Sequence, residues 1–228
     1  LCLLGLFLLP GFLQSQNLTK NKTQLLKSIK KHEANLIEIS DKIWSLAETA
    51  FEENASAKIL ADYAEEQGFK VERGVAEMPT AFVATYGSGK PVISVLGEFD
   101  ALPGISQKTV PTKSPLIVGA AGHGCGHNLF GAGSLGAAIA IKELIAQGKI
   151  KGTIKFFGTP SEEKFFGKIW MVRAGLWDDV DVNISWHPAA NTKADVQSSL
   201  ALIDFKIEFF GQAAHASMDP WNGRSASD

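Results

Sequence analysis

Between residues 23 and 49, apolar side chains recur every third or fourth position, at Leu25, Leu26, Ile29, Leu36, Ile37, Ile43 and Trp44, with Lys and Glu between them. That spacing lays one apolar stripe along a helix. A second amphipathic helix is predicted over 55–67, with Asn54 as N-cap and Gly68 as stop. The period then shortens. Residues 69–73 and 80–86 read as strands, and Gly87-Ser88-Gly89 as a turn. The run PVISVL at 91–96 is continuously apolar, the pattern of a strand buried on both faces. Residues 107–119 read as a polar surface loop.

Further on, 129–147 is predicted as a helix dense in Ala and Gly, closed by Gly148. It contains Gly131-Ala132-Gly133-Ser134-Leu135-Gly136, which matches the dinucleotide pattern G-x-G-x-x-G. No strand runs into it, so the small residues are read as sites of close helix–sheet packing. Strands follow at 152–158 and 180–186, with a helix at 164–175 between them, and LALIDFKIEFF at 200–210 alternates as a further strand. The repeated order of strand, polar cluster and helix implies an α/β domain. Its sheet is expected to be mostly parallel, with the clusters gathered at the C-terminal edge. The strand at 200–210 is expected to open a second, α+β unit.

Composition narrows the class. The chain has 228 residues, 45% hydrophobic and 20% charged, which suits a globular protein with a core. A net charge of -2 offers no basic surplus for nucleic acid. The apolar run LCLLGLFLLPGFL at 1–13 is too short to span a bilayer, which takes about 20 residues. It has the length of a signal-peptide core with cleavage near Ser15 or Gln16, and a buried N-terminal helix is the alternative. The chain starts without Met and is expected to be a fragment cut at both ends. Loss of Cys2 with the signal would leave Cys125 as the one cysteine, so no disulfide framework is expected.

Chemistry gathers at predicted strand ends. Gly122-His123-Gly124-Cys125-Gly126-His127-Asn128 spaces two imidazoles and a thiol with glycines that let the backbone turn sharply. Glu98/Asp100, Glu162/Glu163 and His187 occupy the other strand ends. Each is weak alone, since a Glu pair is usually a solvated face and a His-Pro a capped loop. Together, thiolate, imidazole and carboxylate form a ligand set suited to zinc and possible for manganese or cobalt.

The ordered motifs Gly97-Glu98-Phe99-Asp100-Ala101-Leu102-Pro103, His123-Gly124-Cys125-Gly126-His127-Asn128, Pro160-Ser161-Glu162-Glu163, Trp186-His187-Pro188 and Gly211-Gln212-Ala213-Ala214-His215-Ala216 resemble the M20 metallopeptidases. The branch is that of aminoacylase-like and hippurate-type amidohydrolases. Asp219-Pro220-Trp221-Asn222-Gly223-Arg224-Ser225-Ala226 is most similar to members that hydrolyse aminobenzoyl-glutamate. The resemblance implies a two-metal amidohydrolase, with zinc or manganese, acting on N-acyl amino acids such as aminobenzoyl-glutamate or on small peptides. Cys125, His127, Glu163 and His187 would be metal ligands. Glu162 would be the general base that takes a proton from a metal-activated water, and Asp100 would orient the site. Glu98 stands where other branches carry a metal-binding His, and His123 matches no standard ligand. His215 would hold substrate or stabilise the oxyanion. Arg224 is either a carboxylate-binding group or a surface arginine. A further His ligand lies far towards the C-terminus in the family, so the fragment alone is expected to be impaired.

The implied organisation is a signal peptide at 1–16, a zinc-peptidase-like catalytic domain over 17–198, and the start of an inserted lid or dimerisation domain at 199–228. It also implies an exported protein that forms a homodimer or heterodimer through the lid. Two rival readings remain: a hydrolase with Cys125 as nucleophile and His127 or His187 as base, and a non-catalytic metal-binding relative.

Overall fold

The structure is a computed structural model that describes residues 9–194, 201, 203 and 205–227. The chain divides into two compact units, Leu1–Ala189 and Ala190–Asp228. The expected export segment at 1–16 lies partly, and the expected boundary at 198/199 wholly, outside the described residues.

In the first unit the helical stripe extends further than its periodicity predicts, as α1 (Leu9–Leu46). α2 (Asn54–Glu66) follows after a short turn. Asn54 is not its cap. The Glu48 carboxylate instead accepts the Ala55 and Ser56 N–H groups at 3.0 and 2.8 Å and the Ser56 hydroxyl at 2.7 Å. A carboxylate there satisfies orphan donors and complements the positive end of the helix.

Five strands, β1 (Lys70–Arg73), β2 (Phe82–Ser88), β3 (Val92–Glu98), β4 (Gly152–Thr159) and β5 (Val182–Ile184), form one sheet in the order β1-β2-β4-β3-β5. The α/β class is as expected, and the sheet is evenly mixed. β1 with β2 and β2 with β4 are antiparallel, whereas β3 with β4 and β3 with β5 are parallel. Only the strands joined through helices run parallel, as crossover connections require.

Strand alternation divides the core between the two sheet faces. Phe156 joins Phe82, Ile154, Leu60, Leu135, Ile139 and Ile43 in one cluster, with α1, α2 and α3 (His127–Ala146). Its neighbour Phe157 joins Val83, Leu96, Met78 and Met171 in the other. Each fully buried Phe contributes about 1.5–3 kcal/mol of transfer free energy. Among the described residues, α3 alone is long and apolar enough to cross a membrane, and it is a core helix of this unit, 56% buried over its apolar window.

The glycine-rich start of α3 serves packing. A Cβ on Gly131 would stand 2.9 Å from the Glu98 carbonyl oxygen, and one on Gly133 2.9 Å from Trp186. Small residues here seat α3 directly on β3.

The helix predicted at 164–175 is split. α4 (Glu162–Phe165) and α5 (Gly167–Arg173) are separated by Phe166, whose φ of 55° no continuous helix accepts.

In the second unit, residues 201, 203 and 205–210 form no strand. Ile203, Phe205, Ile207, Phe209 and Phe210 are exposed. An alternating pattern becomes a strand only beside a hydrogen-bonding neighbour, and among the described residues none pairs with it. Gln212 and Arg224 do pair, antiparallel.

Candidate metal centre

Every predicted group of the first unit falls at one edge of the sheet. Glu98 closes β3, and Asp100 follows it. Glu162 and Glu163 begin α4, just after β4. His187 follows β5, and His127 opens α3. The loop before α3 turns through Gly126 at φ 79°, a conformation a side chain resists, and this aims Cys125 and His127 inward.

His127 is the centre of the arrangement and is fully buried. Its Nδ1 lies 2.9 Å from Asp100 Oδ1, and its Nε2 lies 2.8 Å from Glu98 Oε2 and 3.8 Å from Glu163 Oε1. Asp100, also buried, accepts the Glu163 backbone N–H at 2.9 Å through its other oxygen. One carboxylate thus holds both an imidazole and the backbone of a second carboxylate residue, a kind of support usual behind metal ligands. Cys125 Sγ lies 3.4 Å from His187 Nε2. The His187 ring stands 5.5 Å from that of His127, nearly perpendicular to it.

These atoms suit a cation. Glu98 Oε2, His127 Nε2 and Glu163 Oε1 are buried; the first two meet only each other, as an ion pair, and Glu163 Oε1 makes no hydrogen bond among the described residues. Buried polar atoms are rarely left so. Ligand atoms of Cys125, His127 and His187 lie within 4.8 Å of one another, and so do those of Glu98, His127 and Glu162. Sulfur and nitrogen donors on one tetrahedral zinc stand roughly 3.6 Å apart given the usual bond lengths, close to the Cys125–His187 separation.

The electrostatics agree. Burial disfavours a charged His127, but Asp100 and Glu98 outweigh it and raise its pKa to about 10. Burial, then the neighbouring Glu163, Glu162 and Glu98 carboxylates, push the Cys125 thiol up to about 12. Burial also raises Glu163. Burial works against the Glu98 carboxylate, yet His127 and Lys168 hold it below the usual range. Negative charge concentrated around a buried imidazole calls for a positive ion.

His123 stays outside this group. Its Nε2 meets the Ile43 carbonyl at 3.0 Å, and burial lowers its pKa to about 4, so a neutral ring ties the loop to α1.

The structure thus brings Asp100, Cys125, His127, Glu162, Glu163 and His187 together. Glu98, singled out with Asp100 at the end of its strand, joins them by meeting His127, and the structure adds Lys168 on α5, which is paired with Glu98. It also adds Glu53, whose carboxylate reaches Ser161. Lys168 and Glu53 carry no sequence signal, because each meets its partner only through the tertiary fold. His215 and Arg224 belong to the second unit, where both are exposed. His215 Nδ1 accepts the Ser217 and Met218 N–H groups, and its own N–H goes to Asp219.

Known proteins resemble this chain in sequence and in fold. Residues 94–222 match the profile of peptidase family M20/M25/M40. The chain is 47% identical over 192 residues to one of the two subunits of the p-aminobenzoyl-glutamate hydrolase of Escherichia coli, covering 84% of this chain and 40% of that protein. It is 29% identical to the Xaa-Arg dipeptidase of Mus musculus, over 96% of this chain and 50% of that one. The chain therefore spans half or less of these relatives. A solved Bacillus subtilis protein, described as a dinuclear metal-binding peptidase, superposes with a TM-score of 0.58 at 26% identity, over 68% of this chain and 42% of that chain.

Proposed function

This chain belongs to peptidase family M20/M25/M40, and from that premise we propose that the protein is a metal-dependent amidohydrolase. Its substrates are N-acyl amino acids such as aminobenzoyl-glutamate, or small peptides. The observation that carries the reading is the convergence of buried donor atoms at one point of the site: Glu98 Oε2 and His127 Nε2, which meet each other at 2.8 Å, and Glu163 Oε1, which stands 3.8 Å from that nitrogen with no hydrogen bond of its own among the described residues. The E. coli relative supports the substrate class by its name.

Cys125, His127, Glu163 and His187 would hold two divalent ions, zinc or manganese. A bound ion of this kind polarises the amide carbonyl and makes water a usable nucleophile near neutral pH. Glu162, neighbouring the ligand Glu163, accepts the proton of the attacking water and returns it to the leaving amine. Asp100 fixes the His127 ring and the Glu163 backbone. His215 stabilises the developing oxyanion, and Arg224 receives the substrate carboxylate. Residues 199–228 begin a lid through which the protein forms a homodimer or, as the two-subunit naming of the E. coli relative suggests, a heterodimer. The apolar run at 1–13 serves export to the periplasm or beyond.

One contact favours a different chemistry: Cys125 Sγ against His187 Nε2 resembles a nucleophile–base pair. Burial, and then the carboxylates around that thiol, oppose the thiolate a nucleophile needs. A Glu162→Gln variant of the full-length protein separates the two. It should keep its metal and lose hydrolysis of aminobenzoyl-glutamate by at least about 100-fold, within the usual range for a general base. Retention of the wild-type rate would end the base assignment.

A further inference from the structure

Glu53 is a buried carboxylate that the chemistry above does not use. It sits at the turn into α2, distant in sequence from every predicted site residue, and its side chain is fully buried. Glutamates are almost never buried completely without a partner. Its Oε1 accepts the backbone N–H of Ser161 at 2.8 Å, across 108 positions of sequence. Its Oε2 has no hydrogen-bond partner among the described residues.

Ser161 links β4 to the Glu162/Glu163 pair. It is fully buried and adopts φ 57°, ψ 42°, the left-handed region that a residue with a side chain enters at a cost. Its carbonyl receives the N–H groups of Phe165 and Gly167, so the whole turn into α4 and α5 closes upon it. Two positions on, the Glu163 N–H is held by Asp100 Oδ2 at 2.9 Å. Glu162 therefore lies between two backbone N–H groups, each gripped by a buried carboxylate from a different part of the chain. A strained conformation persists only where its surroundings over-determine it, and these two bonds do so.

We propose that Glu53 is a positioning residue: by holding Ser161 in its left-handed conformation it fixes where the Glu162 carboxylate points. The role needs only an acceptor oxygen at that spot, not a negative charge. Burial, which raises the Glu53 pKa to about 7, fits a group retained for its reach and not for its charge.

The inference rests on Glu162 acting as the base, and the test separates the two. Aminobenzoyl-glutamate hydrolysis and metal content would be measured for full-length wild type, Glu53→Gln, Glu53→Asp and Glu162→Gln. Glu53→Gln keeps an acceptor at the same reach and should hold kcat within about threefold. Glu53→Asp withdraws the oxygen by one methylene and should lower kcat by about tenfold or more, consistent with the cost of a small misplacement at a catalytic group. KM and metal content should stay within about twofold in both. Adding Ser161→Gly, which makes the left-handed conformation free, should recover most of the Glu53→Asp loss. Equal kcat in Glu53→Asp and wild type, or a Gln variant as impaired as the Asp variant, overturns the inference while Glu162→Gln remains inactive. An unimpaired Glu162→Gln overturns the base assignment and this inference with it.

Discussion

Asp100 Oδ1 meets His127 Nδ1 at 2.9 Å, deep in the first unit, with both side chains fully buried. The contact decides which nitrogen of the ring faces the candidate metal centre. It leaves Nε2 turned towards Glu98 and Glu163. The same carboxylate holds the Glu163 backbone, so two candidate ligands share one support.

Asp100→Asn should therefore be costly although it is nearly isosteric. An amide has one accepting end, whereas Asp100 accepts twice. Metal affinity is expected to fall about 10- to 100-fold, as measured by competition with a chromophoric chelator.

Glu98 and Lys168 should act unequally. Glu98 is buried against His127, while the Lys168 side chain is about a third exposed. Glu98→Gln is expected to weaken metal binding by about tenfold or more, as loss of a buried charged partner does. Lys168→Met removes a partly solvated pair worth up to about 1 kcal/mol, or roughly fivefold. The same chelator titration reads both.

Glu53 gives a pH signature in stability. Burial, with the nearby Asp100 charge adding to it, raises its folded pKa from the ordinary 4.5 to about 7. The folded state then binds the proton more tightly than the unfolded one. The group's contribution is fully present below about pH 4.5 and is lost as pH rises through about 7, on the order of 2–3 kcal/mol. Glu53→Gln does not titrate, so the wild type should lose more stability than the variant between pH 4.5 and 7.5. Denaturant titrations at the two pH values measure it.

Much of this was legible in the sequence, and the exceptions share a cause. Alternating and 3.6-residue periods located the sheet and the three long helices, because each element buries its own stripe. Cys125, His127, Glu162, Glu163 and His187 were legible as clusters at strand ends. Glu53 was not, since Glu52-Glu53 reads as a solvated pair until the fold brings Ser161 to it. Lys168 was hidden in the same way inside an amphipathic segment. The break at Phe166 depends on a left-handed residue that no local preference announces. The alternation at 200–210 is real, but pairing is a property of a neighbour and not of the strand itself.

Gly131→Val tests how the helix seats the site. The Cβ would approach the Glu98 carbonyl oxygen to 2.9 Å, and backbone cannot yield as a flexible side chain does. A destabilisation of about 1–3 kcal/mol or more is expected from overpacking. Activity should fall beyond what the unfolded fraction explains, because α3 carries His127 and β3 carries Glu98. Thermal denaturation beside a rate measurement separates the two effects.

The central claim is a metal-dependent hydrolase built around His127. Its most direct test is to strip the full-length protein with a chelator, follow aminobenzoyl-glutamate cleavage, and then add back zinc or manganese while counting bound ions. The account predicts that activity disappears with the metal and returns as about two ions bind per chain. Full activity in the metal-free protein would contradict it.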